Sequence, residues 1–137
     1  MAKINQWALA FLRLVLGLTF MYHGYLKIFV PGGFVGTVNL INSINIPLPV
    51  FFAAIVSAVE FLGGIFLLLG TLTKWSSGLL MIDMAVAFFA VHLKNGLPVS
   101  KGGFEFVLVL FAGLLMLYTS GAGKISLGSQ LKNMYLR

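Results

Sequence analysis

The stretch LPVFFAAIVSAVEFLGGIFLLLG, from Leu48 to Gly70, decides how this chain folds. It exceeds the ~20 apolar residues a helix needs to cross a bilayer. Glu60 is its one charged side chain. Pro47 and Pro49 stand at its start, where a missing N–H does a helix little harm. In hydrocarbon, unpaired backbone groups are too costly for an open chain, so such a run must be helical.

Three further runs flank it, near Trp7–Phe29, Trp75–Leu93 and Phe104–Ser120. Pro31, Gly32 and Gly33 close the first. Gly70 to Lys74 forms a tight turn, and Lys94 to Lys101 a short polar loop. Gly121-Ala-Gly123 ends the last run, and a basic tail follows. The expected fold is all-α: a four-helix transmembrane bundle, one domain over residues 1–137. Between the first two spans, Phe34, Val38 and Ile41 recur at helical spacing. They predict a short interfacial helix within Phe34–Ile46, with an apolar loop as the alternative.

Composition agrees. Of 137 residues, 60% are hydrophobic and 9% charged, against roughly 25% charged in soluble domains. The mean hydropathy is +1.04. The net charge of +6 comes from scattered basic residues near the ends of apolar runs. Membrane proteins place charge this way, whereas nucleic-acid binders cluster it, so nucleic acid is not an expected partner. There are no cysteines, which excludes disulfides, cysteine-held iron–sulfur clusters and an internal thiol relay. Arg13 interrupts the first apolar run and no A-x-A site follows, so the first span reads as uncleaved.

With four spans, Lys3, Lys74, Lys124, Lys132 and Arg137 fall on one side, and Lys94, Lys101 and Lys27 on the other. The excess favours both termini in the cytoplasm, with the chain in the cell's inner (plasma) membrane.

The acidic residues Glu60, Asp83 and Glu105 all lie in or at the edge of spans. A charge at a helix centre costs about 2.5–3.5 kcal/mol on insertion scales, so compensation is required. Measured from the cytoplasmic helix ends at ~1.5 Å per residue, Arg13 lies about 9 Å deep, Asp83 about 12 Å and Glu60 about 15 Å. This predicts one layer in which the Arg13 fork bridges Glu60, Asp83 or both. The structural alternative is buried glue that fixes helix register. A second, outer layer gathers His23 and Lys27, four apart on one helix face, with His92 and Glu105 at facing span ends. These four are the ligand-binding candidates. Against that role, Lys27 could snorkel to the interface, His92 could be a plain interfacial residue, and Glu105 could answer a helix dipole.

Gly17, Gly24, Ala54, Ala58, Gly63 and Gly64 would let helices approach closely. Gly121-Ala-Gly-Lys-Ile-Ser126 fails the phosphate-loop pattern at Tyr118 and Ile125. No H-E-x-x-H occurs, and no metal site is expected. A haem between His23 and His92 is the weakest cofactor candidate.

Arg13-x-x-x-Gly17-x-x-Phe20-x-x-His23-Gly24-x-x-Lys27, then Glu60-x-x-Gly63-Gly64 and Gly70-x-x-Thr73-Lys74, run in order along the chain. His92, Gly103-x-Glu105 and Gly121-x-Gly123-x-x-Ser126-Leu127 follow. Together they resemble the DoxX family of small four-span membrane proteins. Gly128 departs from the Asp that members often carry after Ser-Leu. The resemblance implies a membrane subunit of a redox system. Some relatives belong to a thiosulfate:quinone oxidoreductase, and others are associated with oxidative or quinone stress. A quinone or similar hydrophobic ring compound would then bind at the outer layer of His23, Lys27, His92 and Glu105. Nothing in the chain carries electrons, so a redox partner protein or bound cofactor must supply them. Three alternatives stay open: a non-catalytic anchor or assembly subunit, a small transporter, and a homo-oligomer of either.

Overall fold

The computed structural model describes residues 5–135, with side chains to residue 131. The topology charges Lys3, Lys132 and Arg137 therefore lie outside the described residues or side chains. The fold is all-helical: α1 (Gln6–Phe29), α2 (Gly33–Ser43), α3 (Pro49–Leu69), α4 (Thr73–Val86), α5 (Glu105–Ser120) and α6 (Leu127–Tyr135). Helix α4 runs on through a π-helical turn, Ala87–His92, and a 3₁₀ turn, Leu93–Asn95.

Local chemistry sets these limits. The Asn5 side chain caps α1 by accepting from the Trp7 and Ala8 amides. Pro49 opens α3, and Gly70 closes it in the left-handed conformation (φ 68°) that glycine tolerates best. Among the described residues, three helices are long and apolar enough to cross a membrane: Gln6–Phe29, Pro49–Leu69 and Thr73–Asn95. The fourth apolar helix, α5, has 16 residues. It rises about 24 Å, short of the ~30 Å hydrocarbon core, a mismatch that bilayers absorb by local thinning.

Helix α3 packs between α1 and α4, and α5 closes the bundle against α4 and α1. The core is aliphatic, with Leu16, Phe20, Leu67, Leu80 and Leu114 at most 4% exposed. Small residues set the α1–α3 crossing. A methyl at Gly24 would overlap the Phe61 backbone, and one at Gly64 would overlap Met21. Gly17 lies against Leu68 in the same way. This is close approach without a hydrophobic drive, as expected in lipid. Gly63 receives Leu80 of α4. Ala54 is exposed and takes no part.

These contacts fix the register. Gly17, Met21 and Gly24 ascend α1 as Leu68, Gly64 and Phe61 descend α3. Extending that register puts the end of α1, Phe29, level with Val56, near the middle of α3. Helix α1 thus stops partway along its neighbour, and α2 packs on both α1 and α3 beyond it. In α2, Thr37 and Ile41 are buried, while Phe34 and Val38 are half-buried. Thr37 joins the expected Phe34–Val38–Ile41 stripe on the inner face, its hydroxyl donating to the Gly33 carbonyl.

Candidate functional site

Seven ionisable side chains were singled out by position, and the structure sorts them into three groups. The first is Arg13. It leans toward the N-terminal end of α1, as helical side chains do. Its Nη1 donates to the Ala122 carbonyl at 2.5 Å and its Nη2 to the Ile125 carbonyl at 2.9 Å. The guanidinium also packs on Gly70, leaving no room for a Cβ there. Arg13 therefore ties α1 to the α3–α4 turn and to the segment leading into α6. Nearby, the Lys124 amide donates to Gln6 Oε1 at 2.7 Å. Gly128 sits against the Gly70 carbonyl, so a side chain would not fit. The family's Asp is absent where this corner is tightest.

The expected Arg13 bridge to Glu60 and Asp83 is corrected by this geometry. Depth was measured from helix ends, but α1 begins well below the end of α3. In the observed register Arg13 comes level with the α3–α4 turn, and leucines separate it from the carboxylates. Sequence gave one clue to its real partners: the paired glycines Gly121 and Gly123, both at positive φ, bend the chain back over α1.

The second group is the ionisable centre of the bundle. Lys27 of α1 forms an ion pair with Glu60 of α3. The carboxyl group of Asp83, on α4, lies close to that of Glu60. Gly63 against Leu80 sets the α3–α4 register, which brings Glu60 level with Asp83. Glu60 is 5% exposed, and Asp83 Oδ2 is buried with no hydrogen-bond partner. The side chain of Lys27 is 23% exposed. Three helices thus bring an ammonium and two carboxyl groups together. Such a set can hold a proton between its carboxyl groups and offer a hydrogen bond from its ammonium. Pairing offsets part of the cost of burying charge. Lys27 was expected at the outer layer. It reaches Glu60 because it sits two residues above the Glu60 level and leans back down the helix.

The third group holds a loop. His92 Nδ1 pairs with the Gly102 carbonyl at 2.7 Å. Glu105 Oε1 accepts from the Val99 amide at 2.6 Å. The Asn95 amide donates to the same Gly102 carbonyl. These bonds brace the connection between the α4 extension and α5. Of the four residues expected to form one pocket, His92 and Glu105 bond to loop backbone while Lys27 pairs with Glu60. His23 is exposed on α1, its ring edge-on to Tyr22 at 6.2 Å.

A groove of about 200 Å³ runs between α3 and α4, lined by Ala58, Val59, Leu62, Gly63, Phe66, Ser76 and Leu79, and Lys27, Glu60 and Asp83 are not among its lining residues. Its upper end is level with Glu60.

The sequence pattern of the DoxX family matches residues 8–93. The chain belongs to the DoxX family. It is an integral membrane protein, and the match takes in Arg13, Lys27, Glu60 and Asp83 while ending before Glu105. A Haemophilus influenzae protein named "Uncharacterized protein" is 33% identical over 135 residues, covering 93% of each chain. A second of the same name and organism is 38% identical over 69 residues, 50% of this chain and 46% of its own length. The chain thus spans about half of that relative. A Bacillus subtilis relative named "Putative oxidoreductase CatD" is 30% identical over 99 residues, 72% of this DoxX chain and 69% of its own. No solved structure matches the chain.

Proposed function

We propose that this DoxX protein is a membrane subunit of a redox system that binds a quinone or similar hydrophobic ring compound beside Lys27, Glu60 and Asp83. The observation that carries this reading is the convergence of those three groups, from three helices, with a groove between α3 and α4 reaching the level of Glu60. A quinone needs an apolar slot, donors for its oxygens and a group that passes protons. Lys27 is the donor, and the Glu60–Asp83 pair is the proton carrier. Ordinary ligand pockets measure about 300–1,000 Å³. The groove is smaller, so it takes a ring or part of a tail and leaves the rest in lipid. Electrons come from a partner protein. The name borne by the Bacillus subtilis relative is consistent with such a role.

The test is purification in mild detergent, extraction of bound lipid and titration with ubiquinone and menaquinone. Binding is expected, and Lys27→Met should weaken it by about tenfold or more, as for a lost charge-assisted hydrogen bond. Asp83→Asn keeps the shape and lowers turnover with the electron donor present. A protein that co-purifies with no quinone and binds none on titration overturns the reading.

One observation favours a second reading, an anchor or assembly subunit without chemistry of its own. Arg13, His92 and Glu105 each bond to backbone within the fold. On that reading, Lys27→Met and Asp83→Asn variants that fold support full activity of the assembled system.

A further inference from the structure

The ionisable centre sits between two unlike halves of the bundle. Toward α6, the interior is closed. Leu80 lies one turn from Glu60 and Asp83 on that side, followed by Phe20, Leu67, Leu16 and Leu114, with Leu67, Leu80 and Leu114 at 0% exposed. The hydroxyls of Thr73, Ser76 and Ser77 are buried on this side too, those of Thr73 and Ser77 without a hydrogen-bond partner. By the α1–α3 register this plug is about 9 Å thick. Below it, Arg13 seals the corner of α1, Gly70 and the Ala122–Ile125 segment.

Toward the loops, the helix wall is broken. Helix α1 ends near the middle of α3, and Val30, Pro31 and Gly32 are exposed where it turns into α2. Lys27 is in the last turn of α1, beside that break, and its side chain is 23% exposed against 6% for Glu60. An interrupted helix at membrane depth is tolerated where it lines a water-filled cavity or is buried in protein. A lysine side chain that keeps part of its surface free carries its charged head toward water. Helix α2 brings no titratable residue to this region. The one acidic side chain of α5, Glu105, is bonded to the Val99 amide.

We propose that Lys27, Glu60 and Asp83 are reached by water through the α1–α2 break and are closed to water on the α6 side. The protons that the site gives or takes therefore cross only the loop-side half of the bundle. This deepens the proposed function by assigning the side from which protons come, and it can be tested without any quinone.

The chain has no cysteine, so single cysteines report access directly. Asn95→Cys, in the loop beyond α4, and Lys124→Cys, next to α6, mark the two sides. Lys27→Cys and Asp83→Cys are the probes. A membrane-impermeant thiosulfonate is added to intact spheroplasts or to inverted vesicles, and labelling is read by mass shift. Impermeant thiol reagents need a hydrated thiolate. Both probes should label from the Asn95→Cys side at least about tenfold faster than from the Lys124→Cys side. Faster labelling from the Lys124→Cys side overturns the proposal, as does no labelling of a probe that elutes as a folded species. The two probes lie on different helices, so loss of one fold leaves the other as the test. Loss of quinone binding with one-sided labelling intact would remove the proposed function and leave this route standing.

Discussion

Two cations within the helical bundle make opposite kinds of contact. Arg13 gives both terminal nitrogens to backbone carbonyls and meets no ionisable side chain. Lys27 meets a carboxylate, which in turn meets a second carboxyl group. Carbonyls cannot take up or release protons, so Arg13 can position chain segments and do little else. A carboxyl pair beside an ammonium can change protonation state, so the Lys27 centre can take part in chemistry. Depth in an apolar bundle is common to both. The partner's chemistry separates them.

The sharpest way to break this comparison is Arg13→Met. It leaves two part-buried carbonyls without their donors, at up to roughly 1–3 kcal/mol each. We expect the largest loss of thermal stability in detergent of any substitution discussed here, with quinone binding intact in the fraction that remains folded. Arg13→Lys reaches one carbonyl at best and should fall between. A variant of normal stability that fails to bind ligand would move Arg13 into the chemistry.

Next in size is the Lys27–Glu60 pair. Removing either partner alone leaves the other partly buried and unpaired, which costs about 2–3 kcal/mol once the exposure of Lys27 is discounted. The double variant Lys27→Met/Glu60→Gln should return to within about 1 kcal/mol of the parent, because no orphan charge remains. Ligand binding should stay lost in all three. Thermal melts and quinone titrations on the four proteins complete the cycle. If the double variant is as unstable as the sum of the singles, the two residues do not act as a pair.

Much of this was legible before any coordinates. Apolar runs and their Pro and Gly punctuation locate the helices, because lipid leaves the backbone little choice. The same reasoning flagged Arg13, Glu60 and Asp83 as buried charge in need of partners. It misassigned the partners, since helix ends are not at equal depth: α1 extends below the α3–α4 turn and ends near the middle of α3. Backbone partners are still harder to read, because any carbonyl looks alike in a sequence. Hence His92 and Glu105 looked free to bind a ligand, although both bond to loop backbone.

Gly24 carries the register that brings Lys27 to Glu60. A methyl there would overlap the Phe61 backbone, and neither helix can yield without shifting. Gly24→Ala should cost about 1–3 kcal/mol, as overpacking does, and should weaken ligand binding by moving Lys27 away from Glu60. The same change at Gly36, where no atom stands within 4 Å of an added Cβ, should alter neither property. Equal effects at the two glycines would mean that helix packing does not set the site.

The smallest effect belongs to Glu105. Its bond to the Val99 amide is short, but residues around it are open to solvent, and hydrogen bonds of this kind contribute about 0.5–1.5 kcal/mol. Glu105→Ala should therefore leave the melting temperature almost unchanged. Its effect should appear locally, as faster hydrogen exchange at the Val99 amide, by up to about tenfold for 1.4 kcal/mol. Neighbouring amides in the loop, such as those of Lys101 and Gly102, keep their own backbone acceptors and should change less. Quinone affinity is expected to stay at the parent level, because Glu105 faces the loop and not the ionisable centre. A large loss of affinity with Glu105→Ala would return Glu105 to the ligand site and shift the chemistry toward the loop end of the bundle.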